Sequence, residues 1–213
     1  MSNEPTETNE AVGDAEPLTT LSDPALASAV LEIEAHVGRE GWDQPARLYA
    51  LVDTARFIAA EPQMAVAMGL EAPKVEGALT AVEQQQYGPE NPIEQVLETI
   101  VWPESVDGSA VVVERLVLPP EVDAQIPSDP VEAAEFAKNH PLRQEVRMVA
   151  GATRSGSTYC ALRLKSHDDE MSVVDGTDLV PGLLELVLNT LDAGDANANP
   201  NANDNTDNSE AGR

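Results

Sequence analysis

The chain has 213 residues, of which 38 are acidic and 12 are Lys or Arg, giving a formal net charge of −26 at pH 7. Body and ends alike are acidic, which argues against nucleic acid and anionic lipid as partners, because both attractions need clustered Lys and Arg. Aromatic residues are 3% and cysteine occurs once, so the core must be Val, Leu, Ile, Ala and Met, no internal disulfide can form, and a cytoplasmic location is expected.

Residues 1–21 are polar and acidic, show neither the basic nor the apolar part of a secretory signal, and are expected to be disordered. No apolar run reaches the ~18 residues of a membrane-spanning helix, so no membrane insertion is expected. A single domain is expected over residues 22–191, and residues 192–213, rich in Asn and Asp, read as a second disordered end. Asp23-Pro24, Asn91-Pro92 and Asp129-Pro130 each set a capping oxygen before a proline suited to the first helical position, which gives three helix starts. After Pro24, the residues Leu26, Val30, Ile33 and Val37 form one apolar stripe, ended by Gly38 and Gly41.

In GWDQPARLYALVDT, residues 41–54, Pro45 keeps Gln44 out of the helical conformation, and the apolar run from Leu48 opens the first strand. Trp42 is expected to fold over the edge of the core at this corner. Residues 61–90, rich in Ala, Glu, Gln, Pro and Gly, read as a loosely packed helical insertion. Ile93, Val96, Leu97 and Ile100 then form a second helical stripe, ended by Pro103, and SAVVVERLVLP is a strand. The helix after Pro130 has a thin stripe and should be short and exposed.

RQEVRMVAGA and STYCALRLKS are two further strands joined by a tight turn at TRSGS. Alternation places Val146, Met148 and Ala150 with Cys160, Leu162 and Leu164 on one face, and Glu145, Arg147, Arg163 and Lys165 on the other. One face reads as dry and the other as charged. The chain closes with a helix begun by Asp178, in which Val180, Leu184, Val187, Leu188 and Leu191 form one stripe and Leu179, Leu183 and Leu186 a second. The second stripe has to meet either the first helix or another chain. The order of elements predicts an α+β fold of two layers, with a mainly antiparallel sheet of about four strands and the N- and C-terminal helices packed on one face.

The segments GWDQPARLYALV, VVERLVLPP, RQEVRMVAG, CALRLKSHDD and DLVPGL, in this order, resemble an uncharacterised family of small acidic actinobacterial proteins over residues 22–191. The resemblance implies no established activity, supplies no catalytic motif, and implies genes lying near those of a large membrane protein and a PDZ-bearing protease.

KSHDDE, residues 165–170, gathers His167, Asp168 and Asp169 as weak metal-ligand candidates, yet neighbours in an extended chain point apart while a metal needs converging ligands. Ser166, His167 and Asp168 do not form a triad, whose members meet from separate elements. Cys160, on the apolar side of its strand, reads as a small hydrophobe, and Gly151 and Gly156 are too few to cradle phosphate. No catalytic residue and no cofactor is assigned, which leans against an enzyme.

Arg147, Arg163 and Lys165, joined by Arg115 or Glu114 according to register, form a basic island on the charged face. It reads as a ladder of ion pairs with Glu145 or as a site for an acidic peptide or small anion. The expected function is a non-catalytic protein-interaction module that binds another protein, or a second copy of itself, through Arg147, Arg163 and Lys165 or through Leu179, Leu183 and Leu186. The alternative is a metal- or small-ligand-dependent enzyme or sensor centred on residues 165–170.

Overall fold

The computed structural model describes residues 23–70 and 75–192, so the two ends expected to be disordered lie outside the described residues except for Asp192, which ends the last helix. The first helix, α1, spans Pro24–Gly38, and the side chain of Asp23 caps it by accepting from the N–H groups of Ala25 and Leu26. Strand β1, Ala46–Asp53, follows the corner at Pro45 and runs into two short helices, α2 at Thr54–Ala60 and α3 at Pro62–Ala67. Residues 61–90 are not a helical insertion: after α3 they form strand β2, Leu79–Tyr87, which pairs antiparallel with β1. The remaining elements are α4 at Ile93–Leu97, β3 at Gly108–Val117, α5 at Pro130–Asn139, β4 at Gln144–Thr153, β5 at Thr158–Leu164, β6 at Val174–Gly176 and α6 at Pro181–Asp192.

The strands make one antiparallel sheet of six in the order β2-β1-β3-β4-β5-β6, two more than the pattern of apolar runs suggested. The two helices are not on one face. Leu26, Val30, Ile33 and Val37 of α1 pack on Tyr49, Leu51, Ala110, Val112 and Val149, whereas Leu184, Val187 and Leu191 of α6 pack on Leu48, Ala50, Val111, Val113 and Cys160. Because successive strand residues face opposite ways, these two sets are opposite faces of the sheet. The result is three layers, with α1 on one side and α6 with α4 on the other.

Close approach of α1 depends on Gly151, since a Cβ there would sit 2.7 Å from Val30 Cγ2 and 3.2 Å from Leu26 Cδ1. The far end of α6 is held by Arg154, which donates to the carbonyls of Leu191, Val106, Trp102 and Pro103 and so ties helix, hairpin turn and the loop before β3 together. Asp129 caps α5 as expected, but Asn91 caps nothing, because α4 begins after Pro92. The last helix starts at Pro181 rather than at Asp178; the Val180 carbonyl accepts from Leu183 and Leu184. No helix among the described residues is long and apolar enough to cross a membrane.

Candidate functional site

The charged face of the sheet is closed over by α1. Glu114, Arg147 and Arg163 stand side by side on β3, β4 and β5, so register selects Glu114 for this row and sends Arg115 to the other side, where it donates to Glu94 at 2.6 Å. Arg147 is fully buried and Arg163 is 5% exposed. Contrary to the expectation from the charged strand face, these two arginines form no exposed basic island.

The helix supplies the counter-charge. Glu34 lies within the buried stripe of α1, one turn from Val30, and receives two hydrogen bonds of 2.6 Å from Arg163 Nε and Nη2. Its Oε1 is also 4.0 Å from Arg147 Nη1. Arg147 donates in turn to Glu114 Oε1 through Nε and Nη2, at 3.2 and 2.9 Å, and to the Gly41 carbonyl. Glu114 is completed by the corner preceding β1: Asp43, at φ 64°, sits in the left-handed region and turns its own N–H and that of Gln44 onto Oε2.

Trp42 closes this cluster instead of the apolar core. Its half-buried ring lies 4.4 Å from the Arg147 guanidinium carbon, and its Nε1 donates to Asp168 Oδ2 at 2.8 Å. Asp168 also lies 3.6 Å from Arg163 Nη1. Lys165 is the half-buried member of the predicted basic set and pairs with Glu145 at 2.6 Å, a contact that raises its pKa.

The 165–170 loop therefore diverges. Asp168 faces Trp42 and Arg163, while Asp169 accepts from the Met171 N–H and the Ser172 hydroxyl, which holds its carboxyl below the ordinary range. His167 Nδ1 contacts only its neighbour Ser166 among the hydrogen bonds found. Among the described residues no three His, Cys, Asp or Glu side chains are grouped as a metal site. Cys160 is buried beneath α6, and burial pushes its thiol pKa up.

On α6, Leu183 and Leu186 are half-buried against the core alongside α4, whereas Leu179 lies before the helix and is 41% exposed. The first helix is on the other side of the sheet, so it is not the partner of that stripe.

A site that the sequence did not disclose lies between α1 and the edge strand β2. A groove of about 650 Å³ has Ile33, Tyr49, Leu79 and Ala81 in its wall, Met68 and Leu70 at one side, and Glu32 and Glu83 among its polar members. On α3, which precedes the lining residue Met68 in the chain, Met64 and Val66 are 49% and 78% exposed. The volume is within the range of ordinary ligand sites. Burial, with Glu83 alongside, pushes the Tyr49 hydroxyl up to about 12. The only signal in the sequence was indirect, in the exposed apolar residues of a short helix that has little sheet to cover.

Fold and surface define an α+β protein built on a single antiparallel sheet with helices on both faces and an open groove at one edge. Residues 26–192 match the model of the PPA1309-like protein family, and the chain belongs to that family. All five segments on which the resemblance to an uncharacterised family rests lie inside this span. Neither a curated protein nor a solved structure matches the chain.

Proposed function

We propose that this chain is a non-catalytic protein-interaction module of the cytoplasm, and that it engages another protein at the groove between α1 and β2. The observation that carries the reading is the groove itself: an open, largely apolar groove of about 650 Å³ with the exposed Met68 among its lining residues. Met side chains adapt their shape to a partner at small cost. A sensor or enzyme centred on residues 165–170 has less support, because Asp168 is engaged by Trp42 and Arg163 and Asp169 by Ser172.

The reading is tested with a photoreactive residue at Met68 of the full chain, expressed in its own host, with Val131 on α5 as the control position. The partner captured at Met68 is then purified, and its affinity is measured for the unsubstituted chain and for Met68→Glu. An adduct specific to Met68, together with at least ~10-fold weaker binding of the variant at an unchanged melting midpoint, is the expected result. Absence of the adduct, or equal affinities, overturns the reading.

A further inference from the structure

We infer that the segment which docks in the α1–β2 groove is basic and amphipathic, an apolar stretch of another protein interleaved with Lys or Arg; this rests on the groove being an interaction site. The groove combines an apolar wall with acidic edges. Glu32 is on the exposed side of α1, where its one side-chain contact among the hydrogen bonds found is the Ser28 hydroxyl at 3.3 Å. Glu83 is fixed in place from below: Arg47 Nη1 donates to it at 3.4 Å, the Tyr49 hydroxyl at 3.2 Å and Gln86 Nε2 at 2.9 Å.

Those three contacts leave the Glu83 side chain 34% exposed, so it is a preorganised carboxylate with room for one more donor. No Lys or Arg is among the described residues that line the groove, and the one His there, His36, has its Nε2 3.4 Å from Glu40. A cationic side chain arriving from solvent meets acids at two positions, while apolar residues between its charges reach the half-buried Leu79 and Ala81.

The same charge argues against the chain's own segments as occupants. Residues 1–22 hold five acids and no base, and residues 193–213 hold four acids and one Arg. A second copy, at a formal charge of −26, is repelled as a whole. A basic segment is drawn in by the same field, and the paired acids fix its register.

The experiment uses the full chain and two synthetic probes of twelve residues, one of Leu and Lys in amphipathic spacing and one with Glu in place of every Lys. Amide and methyl NMR spectra locate the contact and titration gives its strength. Saturable binding of the Leu/Lys peptide with shifts concentrated at Ile33, Leu79 and Ala81 is expected, together with binding of the Leu/Glu peptide at least ~10-fold weaker. Glu32→Lys should weaken the Leu/Lys complex about fivefold, whereas Glu185→Lys, which makes the same charge change at an exposed position of α6, should leave it within about twofold. Shifts elsewhere, equal binding of the two peptides, or equal losses in the two variants overturn the inference. A partner captured at Met68 whose contact segment is neutral or acidic overturns it too, but leaves the interaction module standing; lack of any groove-dependent partner removes the module itself.

Discussion

The two faces of the sheet are closed in different ways. Under α6 and α4 the centre of the contact is apolar, from Leu48, Ala50, Val111, Val113 and Cys160 to Leu184, Val187 and Leu191, and polar contacts lie at its margins, where Arg154 holds the end of α6 and Arg115 meets Glu94. Under α1 the first half is equally apolar, but toward Gly38 the helix is seated on Arg147 and Arg163 through Glu34, with Glu114 and Trp42 completing the cluster. An apolar face tolerates small shifts of what covers it, since dispersion and burial have little direction. Charges withdrawn from water have to be paired in a fixed geometry, so the ionic end positions α1 along and across the sheet more strictly than α6 is positioned. That placement matters for function, because the same helix forms one wall of the groove.

The comparison is broken most severely at Glu34. Glu34→Ala leaves Arg163 without its bidentate partner and should lower the unfolding free energy by about 3–5 kcal/mol, read from urea melts. Leu184→Ala, the matching deletion beneath α6, should cost about 3 kcal/mol and should respond little to added salt, as cavity formation has no charge to screen. Trp42→Phe keeps a ring over Arg147 and loses only the N–H that reaches Asp168, so a loss of about 1 kcal/mol is expected by the same melts.

Each face also carries a titratable reporter of burial. For Tyr49, under α1, the ordinary pKa of 10.0 is raised to about 12. Up to the unfolded value both states keep the proton and the contribution is constant; between the two values the unfolded chain releases it first, so stability must fall as pH rises from 10.0 to about 12. In an absorbance titration Tyr49 should ionise late within this window, with Tyr159, whose pKa its bond to Asp175 also raises, ionising late as well, and Tyr49→Phe should remove the Tyr49 part of the late absorbance change. Cys160, under α6, has a raised pKa from burial and should ignore a thiol reagent at neutral pH until denaturant is added.

The sequence disclosed parity well and covering poorly. Alternation placed Arg147 with Arg163, and Val146 and Met148 with Leu162 and Leu164, as the register of β4 and β5 has them. What alternation cannot express is the identity of the layer above, so the charge of a face with two arginines does not tell whether it meets water or a helix. The clue was Glu34, a carboxylate one turn from Val30 in an otherwise apolar stripe, which makes sense only if a cation waits beneath it.

Strand β2 escaped notice because Glu83 and three consecutive glutamines interrupt any apolar alternation, as befits an edge strand with one half in solvent. The short β6 has too few residues for a period to show. Caps were legible where an Asp preceded a full helix, at Asp23 and Asp129, and misleading at Asn91, before a helix of 5 residues. The groove was illegible because its walls come from α1, β1, β2 and the end of α3, which only tertiary packing brings together.

The claim that the charges under α1 act as a positioning clamp is tested most directly by a double-mutant cycle on Glu34 and Arg163. Unfolding free energies are measured for the unsubstituted chain, Glu34→Leu, Arg163→Met and the double variant. The expected result is a coupling of about 3 kcal/mol, with the double variant recovering more than half of the loss seen in Glu34→Leu, because two apolar side chains of similar volume can replace a buried pair. A coupling below ~0.5 kcal/mol would mean that the two residues act independently, and would contradict the clamp.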